Sequence, residues 1–179
     1  MTPRYPLIGL TGTNGAGKGV TAQFFMARGY SYLSLSDVIR DELRRAGTPE
    51  SRDALTVLGN ELRRAHGPDV LARLALARVA GPTVIDSIRN PAEVAALREQ
   101  AGFILLALDA PPAVRFARVS LRGRDESAAT LQEFMRKEAV EKSADPVAQQ
   151  LHLCMALADR TVLNDGSLED LHRRLEEFL

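Results

Sequence analysis

A glycine-rich stretch that ends in lysine stands near the start of the chain and could bind phosphate. Its residues are Gly12, Thr13, Asn14, Gly15, Ala16, Gly17 and Lys18. An apolar run at 7–11 predicts a buried strand before it, and apolar residues at helical spacing predict a helix over 17–28 after it. Glycines let backbone N–H groups approach phosphate oxygens, and the lysine reaches the terminal phosphates. The strand–loop–helix setting argues against an accidental glycine-rich turn.

The residues after the lysine bear on how Mg²⁺ would be held. The strict pattern has Ser or Thr directly after the lysine, but Gly19 and Val20 stand here and the threonine comes at Thr21. The run Gly17-Lys18-Gly19 resembles the loop of adenylate kinases, which usually have threonine where this chain has Val20. The resemblance implies ATP and Mg²⁺ as cofactors, with the metal held largely through water. It implies nucleotide contacts along the whole loop up to Val20, and only a weak metal contact for Thr21.

A second polar group, Asp37 and Arg40, follows a strand predicted at 30–35. Ser36 or Asp37 is the predicted N-cap of the next helix. The segment resembles one in nucleoside monophosphate kinases, where an aspartate and an arginine three residues later flank the phosphate site. The resemblance places Asp37 near the transferring phosphoryl group and Arg40 on the acceptor's phosphate, which a guanidinium grips through two hydrogen bonds. The alternative is a helix cap followed by a solvated arginine.

A third polar group follows a strand predicted at 82–86. Asp86, an acid at the end of an apolar strand, suits the ordering of water around Mg²⁺. Arg89 resembles the arginine that adenylate kinases carry just after the corresponding aspartate. Their spacing is one residue longer, and the shorter spacing resembles deoxynucleoside monophosphate kinases. The resemblance implies a role for Arg89 in acceptor binding and catalysis. Glu93 is expected to be a solvated first-turn acid, with orientation of Arg89 as the alternative.

Helices are predicted at 50–66 and 68–80, between these groups. In the resembling kinases this interval forms a small helical module that covers the acceptor. Arg52, Asn60 and Arg63 are the candidates to reach the acceptor from this module. For each of them, a solvated helical face is the more ordinary interpretation.

Three arginines lie on or directly after the helix predicted at 111–121: Arg115, Arg118 and Arg122. They are three and four residues apart, so they share one helix face. The last two match an arginine pair in adenylate kinases, at the point where this helix enters the lid. The resemblance implies a contact of Arg118 with the adenine end of ATP, and a phosphate contact of Arg122 when the lid closes and excludes water. The alternative is an exposed basic stripe, expected above all for Arg115.

The segment 158–167 resembles the ending of dephospho-CoA kinases, in which backbone that follows an apolar strand comes near the adenine ring. The resemblance implies that Asn164 lies at the nucleotide. A turn with a helix cap is the alternative for this segment. The chain has no clear counterpart of the Pro-Leu-Leu-Phe-Glu stretch of dephospho-CoA kinases, which counts against that substrate.

Strands alternate with helices along the chain, which predicts an α/β fold. With the resemblance, the expected architecture is a P-loop kinase fold, with a parallel sheet of about five strands and helices on both faces. No linker separates two domains, so a single domain is expected over 1–179. Within it, the acceptor-binding helical insertion is expected at about 37–80 and the lid at about 118–143.

The composition restricts partners and location. Basic and acidic residues are equal in number, 23 of each, which gives no support to a nucleic-acid or membrane-surface partner. No window approaches about 20 uninterrupted apolar residues, and the start carries no secretion signal, so a cytoplasmic enzyme is expected. Cys154 is the single cysteine, which excludes an intrachain disulfide. Monomer and homo-oligomer both stay open.

Together these features favour an ATP- and Mg²⁺-dependent phosphotransferase that acts on a small nucleotide, with a nucleoside or deoxynucleoside monophosphate as the leading acceptor. One alternative is dephospho-CoA kinase or another small-molecule kinase. A second alternative is a nucleotide-binding regulator or slow ATPase that acts on a protein partner. The same scaffold serves all three, so the base and the sugar of the acceptor stay open.

Overall fold

The computed structural model describes residues 3–121, 129–140 and 145–179. The strands in these ranges form one parallel sheet, and they are β1 (Leu7–Gly12), β2 (Ser31–Ser34), β3 (Thr83–Asp86), β4 (Phe103–Asp109) and β5 (Arg160–Leu163). The helices are α1 (Lys18–Met26), α2 (Leu35–Arg45), α3 (Arg52–His66), α4 (Val70–Leu76), α5 (Pro91–Arg98), α6 (Pro112–Leu121), α7 (Leu131–Val140), α8 (Leu151–Ala156) and α9 (Leu168–Leu175). Within these ranges, no helix combines the length and apolar character that a membrane crossing needs.

The strand order is β2-β3-β1-β4-β5, so β1 is central and pairs with β3 on one side and β4 on the other. Because the strands are parallel, their carboxyl ends meet at one edge of the sheet, the edge at which ligands bind in open α/β folds. The phosphate loop follows β1, Asp37 follows β2, and Asp86 ends β3. All three groups predicted from the sequence therefore share this edge.

Apolar side chains form a core on each face of the sheet. One face is covered by α1 and α9, and its largest buried members include Ile8, Leu10, Phe25, Leu106 and Leu171. The opposite face is covered by α2, α4, α5 and α8, and its core includes Leu35, Leu71, Ile85, Leu97 and Leu105. Full burial of each such side chain contributes about 1.5–3 kcal/mol. Helices on both faces are as the sequence predicted.

The start of α2 differs from the prediction. Ser34, the last residue of β2, is the N-cap, and its Oγ accepts a hydrogen bond from the Ser36 N–H at 3.3 Å. The chain passes from strand to helix without a loop, so the cap lies earlier than Ser36 or Asp37. Asp37 then falls in the first turn, where the helix dipole favours its charge.

The segment 146–150 before α8 is not helical, and α8 begins only at Leu151. The carbonyl oxygens of Pro146 and Ala148 accept hydrogen bonds from the Asn90 side chain at 2.8 and 2.9 Å. The Gln150 N–H donates to the Arg89 carbonyl at 2.7 Å. These backbone groups are used to hold the loop after β3 and do not take part in a helix.

Candidate active site

The phosphate loop follows a path that only glycine adopts easily. Gly12 and Gly17 have φ angles of 142° and 105°. A Cβ on Gly12 would lie 2.1 Å from the Leu108 carbonyl oxygen, and one on Gly17 would lie 2.2 Å from Asn164 Nδ2. The positive φ and the close approach both exclude a larger side chain. The loop therefore packs tightly against the ends of β4 and β5, which fixes its shape.

Lys18 begins α1 and turns back onto the loop. Its Nζ donates to the carbonyl oxygens of Gly12 at 2.7 Å and Thr13 at 3.0 Å. Thr13 is fixed in turn, because its hydroxyl donates to Asp109 Oδ1 at 3.0 Å. A cation and a helix N-terminus thus lie together at the loop, which is the arrangement that binds nucleotide phosphates.

Asp86 lies one strand away and is largely buried, with 8% of the residue exposed. Its Oδ1 accepts from the Ser87 N–H at 2.5 Å, and its Oδ2 accepts from the Tyr32 hydroxyl at 3.3 Å. Burial and the charges of Asp86 and Asp37 raise the pKa of Tyr32 to about 12, so this phenol stays protonated and donates. Tyr32 therefore donates to the carboxylate of β3 and lies within electrostatic reach of Asp37.

The residues here suit a Mg²⁺ ion held through water. A carboxylate has about four lone-pair sites, so Asp86 can accept from metal-bound water in addition to its two present donors. Thr21 is fully buried, and its hydroxyl is the only buried side-chain polar atom that lacks a hydrogen-bond partner in the described part of the chain. An unsatisfied buried hydroxyl costs about 1–3 kcal/mol. A bound ligand near Thr21 would supply the missing partner of this hydroxyl. Direct metal contact by Thr21 stays a prediction.

Ser87 holds an unusual backbone conformation directly after Asp86. Its φ is 66°, in the left-handed region that non-glycine residues seldom adopt. The Ser34 hydroxyl donates to Ser87 Oγ at 3.0 Å, which ties the end of β2 to this turn. Such conformations cost about 1–3 kcal/mol and concentrate at ligand sites.

In α2, Arg40 lies between two carboxylates. Its Nη1 donates to Asp37 Oδ1 at 2.7 Å, and its Nε is bonded to Glu50. Burial alone would lower the pKa of Arg40, but the hydrogen bonds to Asp37 and Glu50 raise it above the ordinary value. The side chain is 34% exposed, so a ligand can reach it. Asp37 and Arg40 are in direct contact, and their roles at an acceptor stay predictions.

Arg63 and Glu93 are buried and paired, which corrects the solvated positions expected for them. Their side chains are 2% and 0% exposed, and Arg63 Nη2 donates to Glu93 Oε1 at 2.7 Å. Burial of two charged side chains costs desolvation energy, and their pairing offsets that cost. Arg63 Nη1 also donates to Asn60 Oδ1 at 3.4 Å, so Asn60 lies beside this pair. Arg89 is half-buried, and its Nη1 donates to Gln149 at 3.3 Å.

Arg115 is also buried, at 5% exposed, where the sequence suggested an exposed basic stripe. Its Nε donates to the Ala110 carbonyl at 2.8 Å, and its Nη1 donates to the Asn14 carbonyl at 3.4 Å and bonds Glu138. The guanidinium is buried because loop carbonyls and a carboxylate satisfy it. Arg115 therefore connects α6 to the phosphate loop through the Asn14 carbonyl.

Arg118 and Asn164 meet at the other end of the loop. Arg118 Nη1 donates to the Asn164 carbonyl at 3.0 Å, and its Nη2 donates to Asn164 Oδ1 at 3.3 Å. Asn164 Nδ2 donates to the Ala16 carbonyl at 2.9 Å. These two residues, predicted separately from the sequence, thus form one group against the phosphate loop. Arg122 and the Arg52 side chain lie outside the described parts of the chain, as does much of the expected lid.

Sequence reasoning missed three polar groups at this edge: Tyr32, Ser87 and Glu50. Tyr32 and Ser87 had a usable signal, because each lies within two residues of a strand end at the ligand edge. Glu50 had none, since it precedes α3 and reaches Arg40 only through the fold.

The chain is similar in sequence to proteins of one family. Residues 8–142 match the family model AAA_18, described as an AAA domain. A UPF0200 protein of Pyrococcus horikoshii is 32% identical, with 97% of this chain and 95% of that protein covered. The chain is an AAA_18 domain protein of the UPF0200 family. A UPF0200 protein of Methanothrix thermoacetophila is 30% identical, with 97% and 96% covered.

Solved structures show that this UPF0200 chain has the P-loop kinase fold. TT1252 from Thermus thermophilus is 25% identical, with a TM-score of 0.60 and 99% and 96% of the two chains covered. Shikimate kinase from Acinetobacter baumannii in complex with shikimate is 17% identical, with a TM-score of 0.60 and 97% and 92% covered. The predicted P-loop kinase fold, a parallel sheet of five strands with helices on both faces, is confirmed.

Proposed function

We propose that this protein transfers the γ-phosphoryl group of ATP to the phosphate of a small nucleotide, of the nucleoside or deoxynucleoside monophosphate class. The strand order β2-β3-β1 is the observation that carries the proposal. It sets the phosphate loop, Asp86 and the Asp37–Arg40 pair side by side along one edge. Donor, metal and acceptor can therefore lie in line, as phosphoryl transfer requires.

Each role below agrees with the residue's place at this edge, except that of Arg122, which rests on the resemblance to adenylate kinases alone. Lys18 and the loop amides hold the β- and γ-phosphates, and Arg118 with Asn164 lies at the adenine end. Arg40 and Arg89 supply the cations that hold and neutralise the acceptor phosphate, and Arg122 adds charge when the lid closes. Mg²⁺, when bound, neutralises charge on the transferring phosphates, with Asp86 ordering the water around it. Catalysis is then positioning and electrostatic stabilisation.

A hydroxyl acceptor is the second candidate, as in dephospho-CoA kinase or another small-molecule kinase. It is favoured by Asp37, a carboxylate at the acceptor side that could take a proton from a hydroxyl. The fold neighbours agree with this chemistry, since they include a shikimate kinase and a gluconokinase from Sinorhizobium meliloti, the latter with a TM-score of 0.55. A phosphate acceptor is ionised near neutral pH and needs no such base.

The test is a panel assay in which ATP is offered with nucleoside monophosphates, deoxynucleoside monophosphates, dephospho-CoA, shikimate and gluconate. Products are identified by mass, and the Lys18→Ala protein is the blank. Transfer to a monophosphate is the expected result. Transfer only to a hydroxyl compound, or ATP hydrolysis without any acceptor, would replace the proposal with the second candidate or with a slow ATPase.

Asp37→Asn separates the two acceptor chemistries. With a phosphate acceptor, Asp37 acts mainly through Mg²⁺, so additional metal should partly restore turnover of the variant. With a hydroxyl acceptor the variant lacks its base, and turnover should stay low at every Mg²⁺ concentration. The measurement is kcat across a Mg²⁺ titration for both proteins.

A further inference from the structure

A buried carboxylate joins the acceptor module to the loop that follows β3. Here the acceptor module means α2, α3 and α4. Glu93, in the first turn of α5, receives both of its Oε1 hydrogen bonds from Arg63 of α3, from Nε at 3.1 Å and from Nη2 at 2.7 Å. The pair is out of contact with water. Arg63 is therefore directed at Glu93 and not at the acceptor space.

The second oxygen of the same carboxylate holds the loop. Glu93 Oε2 accepts from the backbone N–H of Arg89 at 2.9 Å and from that of Asn90 at 3.0 Å. These two residues come just after Asp86 and Ser87, so Glu93 fixes the backbone from which the Arg89 side chain extends. One carboxylate thus connects a helix of the acceptor module to the backbone of a proposed acceptor residue.

Stability alone gives a poor reason for this arrangement. A buried ion pair is often no more stabilising than apolar residues of similar volume, because both charges lose their water. What it supplies is geometry, since a planar guanidinium and a carboxylate fix each other's orientation. A lysine keeps the charge but cannot reproduce the two-point contact.

We propose that Arg63 and Glu93 are positioning residues, which transmit the position of the acceptor module to Arg89. When α3 moves with a bound acceptor, the carboxylate moves with it and carries the Arg89–Asn90 backbone. The module and the Arg89 guanidinium then reach the acceptor phosphate together. This inference rests on the proposed function, because it takes α3 as part of the acceptor-binding module.

Arg63→Lys tests whether Arg63 acts on the Arg89 and Asn90 amides through Glu93, since Arg63 does not contact these amides itself. Hydrogen exchange is measured at these two amides in the whole protein, without ligand. We expect exchange there to quicken by about 10-fold while core amides of β1 and β4 keep their protection. Glu93→Gln, which leaves an oxygen for the amides but opposes Arg63 with an amide group, should give the same local change.

Arg73→Lys is the matched control. Arg73 lies in α4 of the same module and pairs with Asp69 at 2.9 Å, but its side chain is 54% exposed. Its replacement should leave the Arg89 and Asn90 amides unchanged. If Arg63→Lys leaves both amides as protected as in wild type, or if exchange quickens equally throughout the core, the pair is only structural and the inference is wrong.

Kinetics supply a second measurement with the acceptor found in the panel assay. Arg63→Lys should lower kcat/KM for the acceptor by about 10-fold, on the scale expected for a misplaced contact, with the ATP KM unchanged. Normal acceptor kinetics in folded Arg63→Lys protein would overturn the inference. Exchange needs no acceptor, so failure of the whole panel would defeat the proposed function while the exchange result still decides the coupling.

Discussion

Arg40 has a guanidinium that is already occupied by two carboxylates. Both pairs are partly exposed, with Asp37 at 44% and Glu50 at 49%, and exposed pairs are worth about 0–1 kcal/mol. A phosphate brings more charge and matches the guanidinium fork better than a single carboxylate oxygen does. Under the proposed function, an acceptor phosphate would displace Glu50 at little cost, and the two acids would keep Arg40 oriented until then.

Arg40→Ala should raise the acceptor KM by roughly 10- to 100-fold, the equivalent of a charged hydrogen bond of about 1.5–3 kcal/mol. The ATP KM should not change. Arg44→Ala is the matched control, because Arg44 is one turn further along α2, pairs with Asp41 at 3.0 Å and is 68% exposed. The measurement is the KM for the acceptor and for ATP in both variants, from steady-state kinetics. Equal effects of the two replacements would make Arg40 an ordinary surface arginine.

Tyr32 gives a prediction that needs no substrate. Burial and the nearby Asp86 charge raise its pKa from 10.0 to about 12. The unfolded chain ionises first, so the stability that Tyr32 contributes is complete below about pH 10 and is lost as the pH rises through about 12. Tyrosinate absorbance during an alkaline titration should show late ionisation in wild type, and Tyr32→Phe should remove one tyrosine from it. Burial also raises the pKa of Tyr30, so the contribution of Tyr30 remains. An unchanged late amplitude in the variant would assign it to another tyrosine.

At the scale of elements, the loop between β3 and α5 is fixed from three sides. The capping box of α5 holds Asn90 and Glu93, the acceptor module reaches Glu93 through Arg63, and the Asn90 amide holds the segment before α8. This explains why the short loop that carries Arg89, a proposed acceptor residue, can keep a definite shape. Asn90 is only 1% exposed, so its contacts are shielded from water.

Asn90→Ala should cost about 2–4 kcal/mol, because it removes a helix cap and leaves two carbonyl oxygens without their donor. Ser167→Ala removes the cap of α9, which has a capping box too but lies exposed at the surface. That replacement should cost about 1 kcal/mol. Urea unfolding of both variants gives the comparison. Equal losses would mean that the contacts of Asn90 with the segment before α8 contribute nothing.

The elements also show where prediction from sequence succeeds. The central strand, the phosphate loop and the ends of β2 and β3 were predictable, because each depends on adjacent residues. Arg63 and Arg115 were not, because their partners Glu93 and Asn14 lie 30 and 101 residues away in the chain. From sequence alone, an arginine on a helix is predicted to be solvated, because its buried hydrogen-bond acceptor is known only from the fold. For the same reason, the sequence alone predicts a surface acid at Glu93.

At the scale of the molecule, the edge of the sheet holds the whole proposed reaction. Asn164 and Arg118 lie by β5, the phosphate loop follows the central β1, Asp86 ends β3, and the acceptor residues follow β2. A parallel sheet was predictable from alternating strands and helices, but the strand order depends on contacts between distant segments. Under the proposed function, this order would set donor, metal and acceptor along one line.

The most direct test of this account is phosphoryl transfer by Lys18→Ala, followed with ATP labelled on the γ-phosphate. The Lys18 ammonium already lies against the loop carbonyls, and its charge should act on the transferring group. Loss of such a contact removes about 2–4 kcal/mol of transition-state stabilisation, or roughly 30- to 1,000-fold in rate. We predict a loss on that scale in a variant that stays folded, as checked by circular dichroism. A folded variant that transfers phosphate to the acceptor at the wild-type rate would contradict the assignment of the phosphate loop as the catalytic donor site.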